Sequence, residues 1–524
     1  MKNIIKTILL SVVVLGMSSC TEEKILDLNP INNISDADAF TTPSYIAAYM
    51  NGVYNAAGIG QYNAASTSPN GGRGYIWGAA FVEQGEARGE DVVNMATFYQ
   101  LTYQADYDPT TANNVYYWVD GYRLINRCNL MIEGTTDAVA KGIITKAVGD
   151  DYIGQAKFLR AITHFEILTN FAKPYNATAS TTDLGVIYRE VGINTAAEVA
   201  SEQQKPRNTV AECYAKVLAD LDDAEKLITS NGFAGGRVVS KATKSAAIAF
   251  KTRVYLQKRD WANVIAEGSK LNGLYALTAD PAAPFVLANN LTNTESIFSI
   301  AHSSTSNPQV NAALASILKN RALVAISPII WRDPQWLADD KRREDGKMIY
   351  TAGGIKYTNK YTDVTNMSDA APVIRYAEVV LNMAEAQARL SAANLSTALT
   401  LLNSVRDRAL ANKATQTYTL AGLGTQKLMV DAILKERRIE FLQEGRRWAD
   451  IHRLQGDDLA PISGIPAKVA NATPAAAAYV LGNSYAITTP IASIPNTDRR
   501  FLWPIPQTEL NTNPGLEGKN NPGW

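Results

Sequence analysis

Residues 210–228 read VAECYAKVLADLDDAEKLI. Val210, Tyr214, Val217, Leu221, Ala224 and Ile228 recur in alternating steps of four and three. On a helix of 3.6 residues per turn that spacing lays all six side chains along one stripe. The same period returns on both sides. Upstream, Phe158, Ile162, Phe165 and Leu168 form a second face; downstream, Tyr376, Val380, Met383 and Leu390 form a third. After a turn near Ala393 and Asn394, Ala398, Leu402, Val405 and Ala409 make a fourth. The fold class that follows is mostly α, with helices in pairs. The most compact pair is Ala242 to Gln257, the turn Lys258-Arg259-Asp260, and Trp261 to Leu271, with Asp260 placed to cap the second helix. Its length, and the positions of Ala246, Ala247, Tyr255, Trp261 and Ala262, resemble a tetratricopeptide repeat. Unit spacing is irregular, so the expectation is a helical-pair scaffold and not a regular solenoid.

Long insertions interrupt these pairs at about 57–112, 172–208, 278–370 and 456–500. They carry Gly, Pro, Asn and Ser clusters, and short strand-like runs such as Glu295 to Ile300. Insertions of this length in a compact chain are usually functional. The uncharged stretch Val469 to Thr497 is broken by Pro474, Gly482, Pro490 and Pro495, which describes a loop and not a membrane helix. The segment 457–498 is too apolar to be idle surface, and packing against the body or a partner is expected of it.

The N-terminus is of another kind. Lys2 and Lys6 flank the start of an apolar run, Ile4 to Val14, and Gly16, Ser18 and Ser19 lead into Cys20. This is a secretory signal pattern, too short to anchor by itself. Met17-Ser18-Ser19-Cys20 resembles a bacterial lipoprotein signal, which implies removal of residues 1–19 and acylation of Cys20. The following Thr21-Glu22-Glu23-Lys24 resembles an acidic tag for the outer face of the outer membrane. Residues 20–40 then read as a lipidated tether, and 41–524 as one domain with ligand-binding insertions at about 57–112 and 278–370 and a C-terminal loop region at 456–524. Several acyl chains would hold the membrane stably where a single one does not.

The 524-residue chain has 50 basic and 50 acidic residues. Loss of Lys2 and Lys6 with the leader barely alters that balance. There is no electrostatic footprint for nucleic acid or anionic lipid. With 46% hydrophobic residues the chain can bury a large core without disulfides. Cys128 and Cys213 each fall on an apolar stripe and are expected as buried free thiols.

Four stretches resemble the SusD/RagB family of nutrient-binding surface lipoproteins. The first is Trp118, Tyr122, Ile125, Asn126 and Asn129 within Tyr117 to Glu133, preceded by Asp91-Val92-Val93. The second is Gln155 to Ala161 with Phe165 and Phe171. The third is Arg375 to Val380 through Ala384-Glu385-Ala386, then Leu402-Asn403 and Val405-Arg406. The fourth is Glu436 to Phe441, Glu444-Gly445 and Arg447 to Asp450, closed by Trp503 to Pro506, Glu509, Asn513-Pro514 and Asn521 to Trp524. The resemblance implies a tetratricopeptide-like scaffold carrying an irregular ligand-binding face. It implies as partner a SusC-like TonB-dependent transporter barrel, over which the lipoprotein sits as a lid.

A charged helix is expected from Glu436 to Arg453. Glu436, Glu440 and Glu444 share one face at intervals of four. A glycosidase needs two carboxyl groups flanking a scissile bond. Here Arg437, Arg438, Arg446 and Arg447 are near enough in sequence to pair with the glutamates, and an ion-pair network is the favoured reading. His164, His302 and His452 stand far apart with no metal-ligand spacing. No nucleophile elbow, phosphate loop or EF-hand pattern occurs. No catalytic residue, metal site or cofactor is assigned.

Sugar rings stack their C–H faces on flat aromatic side chains, and their hydroxyls need fixed polar partners. Phe98 and Tyr99, after Asp91-Val92-Val93, offer one wall of a ligand site where the resemblance would put it. Trp331 and Trp336, with Arg332 and Asp333, offer another, and Tyr75 and Trp77 beside Arg73 a third. Each could instead be a loop anchor packed into the body. The function expected is a non-enzymatic lipoprotein, anchored in the outer membrane by Cys20, that binds an oligosaccharide or polysaccharide and delivers it to the barrel. The alternative is a tetratricopeptide-like binder of peptides or proteins.

Overall fold

The computed structural model describes residues 38–60, 76–176, 181–232 and 238–524. Cys20, the tether up to residue 37, Arg73 and Tyr75 lie outside the described residues. The main helices are α1 (Pro43–Ile59), α2 (Ala79–Ala87), α3 (Ala112–Ala140), α4 (Lys146–Phe171), α5 (Val210–Leu227), α6 (Lys244–Lys258), α7 (Trp261–Ser269), α8 (Tyr376–Leu390), α9 (Leu395–Arg406), α10 (Gln426–Glu440) and α11 (Arg447–Arg453). Their starts are chemically marked. Thr42, Thr145, Thr209, Thr243 and Thr425 each accept a backbone N–H of the first turn, and Asp260 does the same for α7. At Thr209 the box is reciprocal, with Glu212 returning a bond to the cap's own N–H.

From α3 to α9 each helix packs on the next in chain order, α10 closes against α8 and α9, and α1 lies on α3. This is the helical-pair scaffold that the periodicity requires. Every member of the Val210 stripe is buried, although α5 ends at Leu227 and Ile228 is already extended. Small residues let the pairs close. A Cβ on Gly121 of α3 would come within 2.6 Å of Ile167 Cδ1 on α4. Cys128 and Cys213 are buried and free.

One helix is corrected. The run from Glu436 to Arg453 is two helices, α10 and α11, separated by a turn in which Gln443 and Gly445 have φ of 59° and 77°. Gly445 there lies against α2, with Val82 Cα 3.1 Å from where a Cβ would stand, and its N–H donates to Glu86 Oε1 at 2.8 Å. Tertiary contact with α2 outweighs the local propensity to continue.

The insertions form two-stranded antiparallel ribbons. β1 (Val92–Asn94) pairs with β3 (Val324–Ile326), β2 (Ser296–Ile300) with β6 (Ala371–Arg375), and β4 (Ile349–Ala352) with β5 (Ile355–Thr358). The first ribbon ties the insertion at 57–112 to the one at 278–370. The 457–498 segment packs on both. Lys468 Nζ donates to the carbonyls of Ala87 and Tyr103, each at 2.7 Å, and Tyr479 Oη donates to Ile326 O at 2.6 Å. The main apolar cluster runs without a break from Ile46 to Leu516.

Candidate functional site

The three glutamates do converge, but on other partners than their sequence neighbours. Glu440 accepts from Arg375 at 3.1 Å, Arg408 at 2.5 Å and Arg342 at 3.0 Å. Glu444 takes a two-pronged bond from Arg375 (2.9 and 2.8 Å) and one from Lys360 at 2.6 Å, and Glu436 accepts from Arg342 at 2.5 Å. Glu295 pairs with both Arg375 and Arg408. Of the arginines beside these glutamates in sequence, Arg437 binds Asp450, while Arg438 and Arg447 bind Glu90 and Asp91. All these groups but the half-buried Arg438 are buried, and the neighbouring guanidinium groups hold Glu440 well below the ordinary carboxylate range despite the opposing effect of burial. The network fastens the 278–370 insertion to α10.

The histidines are engaged in the same structural way. His164 Nδ1 meets Arg160 O at 3.0 Å while its Nε2 accepts from Arg189 N at 3.1 Å. His452 Nε2 donates to Ala172 O at 2.8 Å, and burial pushes its pKa down to about 3.

Four of the five aromatic candidates are corrected by their burial. Trp77 is 1% exposed, Tyr99 0%, Trp331 4% and Trp336 3%. A stacking platform must show one face to solvent, and these rings do not. Trp77 Nε1 reaches Thr163 Oγ1 at 3.5 Å, and Trp331 Nε1 donates to Tyr479 O at 3.0 Å. Phe98 alone of the five is half-buried. The structure pairs Phe98 with Tyr99 (centroids 4.7 Å apart) and Trp331 with Trp336 (5.4 Å). It does not make them two walls of one cleft. In the β1–β3 register Val92 faces Ile326 and Asn94 faces Val324, so the two pairs leave the ribbon at opposite ends.

An open concavity with both polar and apolar lining lies elsewhere. A cavity of about 520 Å³ is framed by α1, by the chain that follows β2, and by Ser240 and Lys241 ahead of α6. Ile46, Met50, Val53 and Ala57 bury one stripe of α1. That turns Asn51, Asn55 and Gly58, spaced four and three apart, toward the cavity. Ile59 and Ile300 supply apolar surface. Tyr54 is clamped, donating from Oη to Gln155 Oε1 at 2.7 Å and accepting from Ala242 N at 2.8 Å. Burial pushes its phenol pKa up, so it stays a neutral hydroxyl. Asn55 Nδ2 donates to Ser306 Oγ at 2.8 Å, which leaves its carbonyl oxygen for another donor.

Arg127 reaches in from α3, its Nη1 donating to Gly52 O at 3.4 Å. His302 closes the wall between Asp369 O (2.9 Å) and Gly58 O (3.3 Å). Burial holds it below the ordinary imidazole range. Its approach needs Gly58, where a Cβ would stand 3.2 Å from His302 Nε2. The described lining offers amides, hydroxyls, a guanidinium and an ammonium, without a carboxylate. Such a set offers hydrogen-bond donors and acceptors to a polar ligand. The sequence does not single this cavity out, because aromatic rings point elsewhere and Asn51-x-x-x-Asn55 on an amphipathic helix resembles any solvated face.

A family model described as the SusD family matches residues 337–524, and a second, described as starch-binding associating with outer membrane, matches residues 25–256. The chain belongs to the SusD/RagB family. As a SusD-like protein it is 23% identical to SusD-like protein P2 of Formosa agariphila over 98% of both chains. Among solved structures it is similar to a SusD superfamily protein from Bacteroides fragilis, with 27% identity, 91% of this chain and 99% of that one covered, and a TM-score of 0.71. A SusD-like carbohydrate binding protein from Bacteroides vulgatus shares the fold at 19% identity, with 91% and 98% covered and a TM-score of 0.69. In this SusD-like chain the helical scaffold is α1 and α3–α10, and the α1 cavity lies where scaffold and insertions meet.

Proposed function

We propose that this SusD-like protein is a surface lipoprotein that binds an oligosaccharide in the α1 cavity and passes it to a SusC-like TonB-dependent transporter. The observation that carries the reading is the cavity's chemistry: fixed neutral hydrogen-bonding groups beside aliphatic surface, with Arg127 and Lys241 as further donors. Family membership supports it, as does the carbohydrate binding named for the B. vulgatus relative. Its volume is within the ~300–1,000 Å³ of small-ligand sites, and in a family of surface binders a site this open suits release as well as capture. Work of this kind is affinity and hand-over.

Titrating the mature protein with oligosaccharide and peptide panels tests the reading. Saturable binding to a glycan is expected, weakened roughly tenfold or more in Asn55→Ala and in Arg127→Ala, as loss of a hydrogen bond to ligand requires. Binding to peptides alone would replace it with the peptide-binding alternative.

The membrane tie is proposed to be acylation of Cys20, supported by the signal sequence before it. Cys20→Ala should move the protein from the outer-membrane fraction to the soluble one and leave its thermal unfolding unchanged. A variant that stays in the membrane, or one that fails to fold, would count against a separate lipid anchor.

A further inference from the structure

Arg127 lines the α1 cavity half-buried and with most of its donors unused. A guanidinium carries five N–H groups. Among the described residues Arg127 makes a single hydrogen bond, the one to Gly52 O at 3.4 Å, and no ion pair. Arg207 also lacks a carboxylate, but it is saturated by the carbonyls of Gly185, Lys519, Phe171 and Leu184 and by Asn521 Oδ1. Lys241 lines the same cavity from the chain ahead of α6, exposed and without an ion pair among the described residues. It stands two residues before Thr243, the cap of the 15-residue α6, where the helix dipole is positive. The bond from Ala242 N to Tyr54 Oη brings that end of α6 to the cavity wall.

No carboxylate of the described lining offsets these charges. Asp151 and Asp369, the acids whose charge acts on Tyr54 and His302, are engaged elsewhere. Asp151 accepts from Gln155 Nε2 and from Thr229 N, each at 2.7 Å, and Asp369 accepts from Thr362 N at 2.8 Å and Asp363 N at 2.9 Å. In sequence, 61–75, 177–180 and 233–237 contain no Asp or Glu. The cavity is therefore a cationic site inside a chain whose 50 basic and 50 acidic residues balance.

We infer that the α1 cavity takes an acidic oligosaccharide, one whose carboxylate or sulfate-ester group is bound by Arg127 and Lys241. The open fork of Arg127 can hold two oxygens of one oxyanion, and Lys241 adds a point charge. Asn51 and Asn55 are left for ring hydroxyls. A neutral glycan would strip water from both cations and return no countercharge, whereas an oxyanion compensates them. That a sugar carries the anion rests on the function proposed above; the preference for an anion rests on the two cations alone.

The test titrates the mature protein with two matched pairs: oligogalacturonate against its methyl ester, and a κ-carrageenan tetrasaccharide against its desulfated form. The acidic member of at least one pair is expected to bind roughly tenfold tighter or more, and the pair that shows it tells carboxylate from sulfate. The preference should be lost in Arg127→Gln, return in part in Arg127→Lys, and shrink as salt is raised. Lys241→Gln, at an exposed position, should reduce it without touching the packing of α3. Acidic forms that bind no better than neutral ones in both pairs, or a preference that survives in both glutamine variants, would overturn the inference. Saturable binding of the neutral forms in that case would leave the glycan function standing. Sulfate or acetate ions bound as tightly as the acidic glycans would overturn it as well, since the site would then hold an ion and not a sugar. Binding of peptides alone would overturn the proposed function and this inference together.

Discussion

Arg375→Ala is expected to destabilise the protein by about 3–5 kcal/mol, the range for breaking a buried ion pair by removing one partner. Arg375 is 2% exposed and is bonded to Glu444 through two nitrogens, to Glu440 and to Glu295. Without it, three buried carboxylates share Arg408, Arg342 and Lys360. Arg375→Lys keeps the charge but not the planar fork that spans Glu444, so it should fall between wild type and alanine. Urea unfolding read by tryptophan fluorescence checks both; a midpoint in Arg375→Ala within error of wild type would show that the network adds nothing.

Acid should act on the same bonds. Glu385, held by Arg453 and Arg389, has its pKa pushed down to about 2, and Glu90, held by Arg447 and Arg438, likewise to about 2. The folded value lies below the unfolded value of about 4.3, so the stabilisation is present above that pH and is lost as pH falls toward 2. Unfolding midpoints should therefore drop steeply between pH 5 and 2.

The helical half of this architecture was legible because its cause is local. The stripes at Val210 and Phe158 each became a buried helix face, the Tyr376 stripe did so except at Leu390, which is exposed at the end of α8, and Asp260 capped the helix assigned to it. What could not be read depended on partners far away in the chain. Glu440 lies near Arg437 and Arg438 in sequence, yet it is bonded to Arg342, Arg375 and Arg408. The helix expected through Gly445 breaks because α2, some 360 positions earlier in sequence, supplies Glu86 as acceptor for its N–H. Four of the five aromatic candidates, all but Phe98, are turned inward for a related reason. A Trp beside Arg in a Gly- and Pro-rich insertion has the composition of a binding loop, but the same ring is what such a loop needs to fasten itself to the body.

Trp331 is the sharpest test of that distinction. Its indole packs edge-on against Trp336 and Tyr479, with centroids at 5.4 and 6.2 Å, and carries the Arg343 guanidinium 4.4 Å from its centroid. Arg343 also donates to the carbonyls of Trp331 and Trp336 at 2.8 and 2.7 Å, so ring and cation brace one turn of the insertion. Trp331→Ala should cost about 3–5 kcal/mol, as large-to-small changes of buried aromatic residues do. Trp331→Phe keeps a ring for Arg343 and loses the hydrogen bond to Tyr479 O, so its cost should be nearer ~1 kcal/mol plus that of the smaller ring. Glycan affinity at the α1 cavity should be unchanged in both, measured at a temperature where each variant is folded. The opposite pattern, affinity lost with stability intact, would return Trp331 to the ligand site and make its burial a closed state that the sugar opens. An anchor and a platform differ in where the free energy of the ring is used: in the folded state of the empty protein, or only once a ligand covers it.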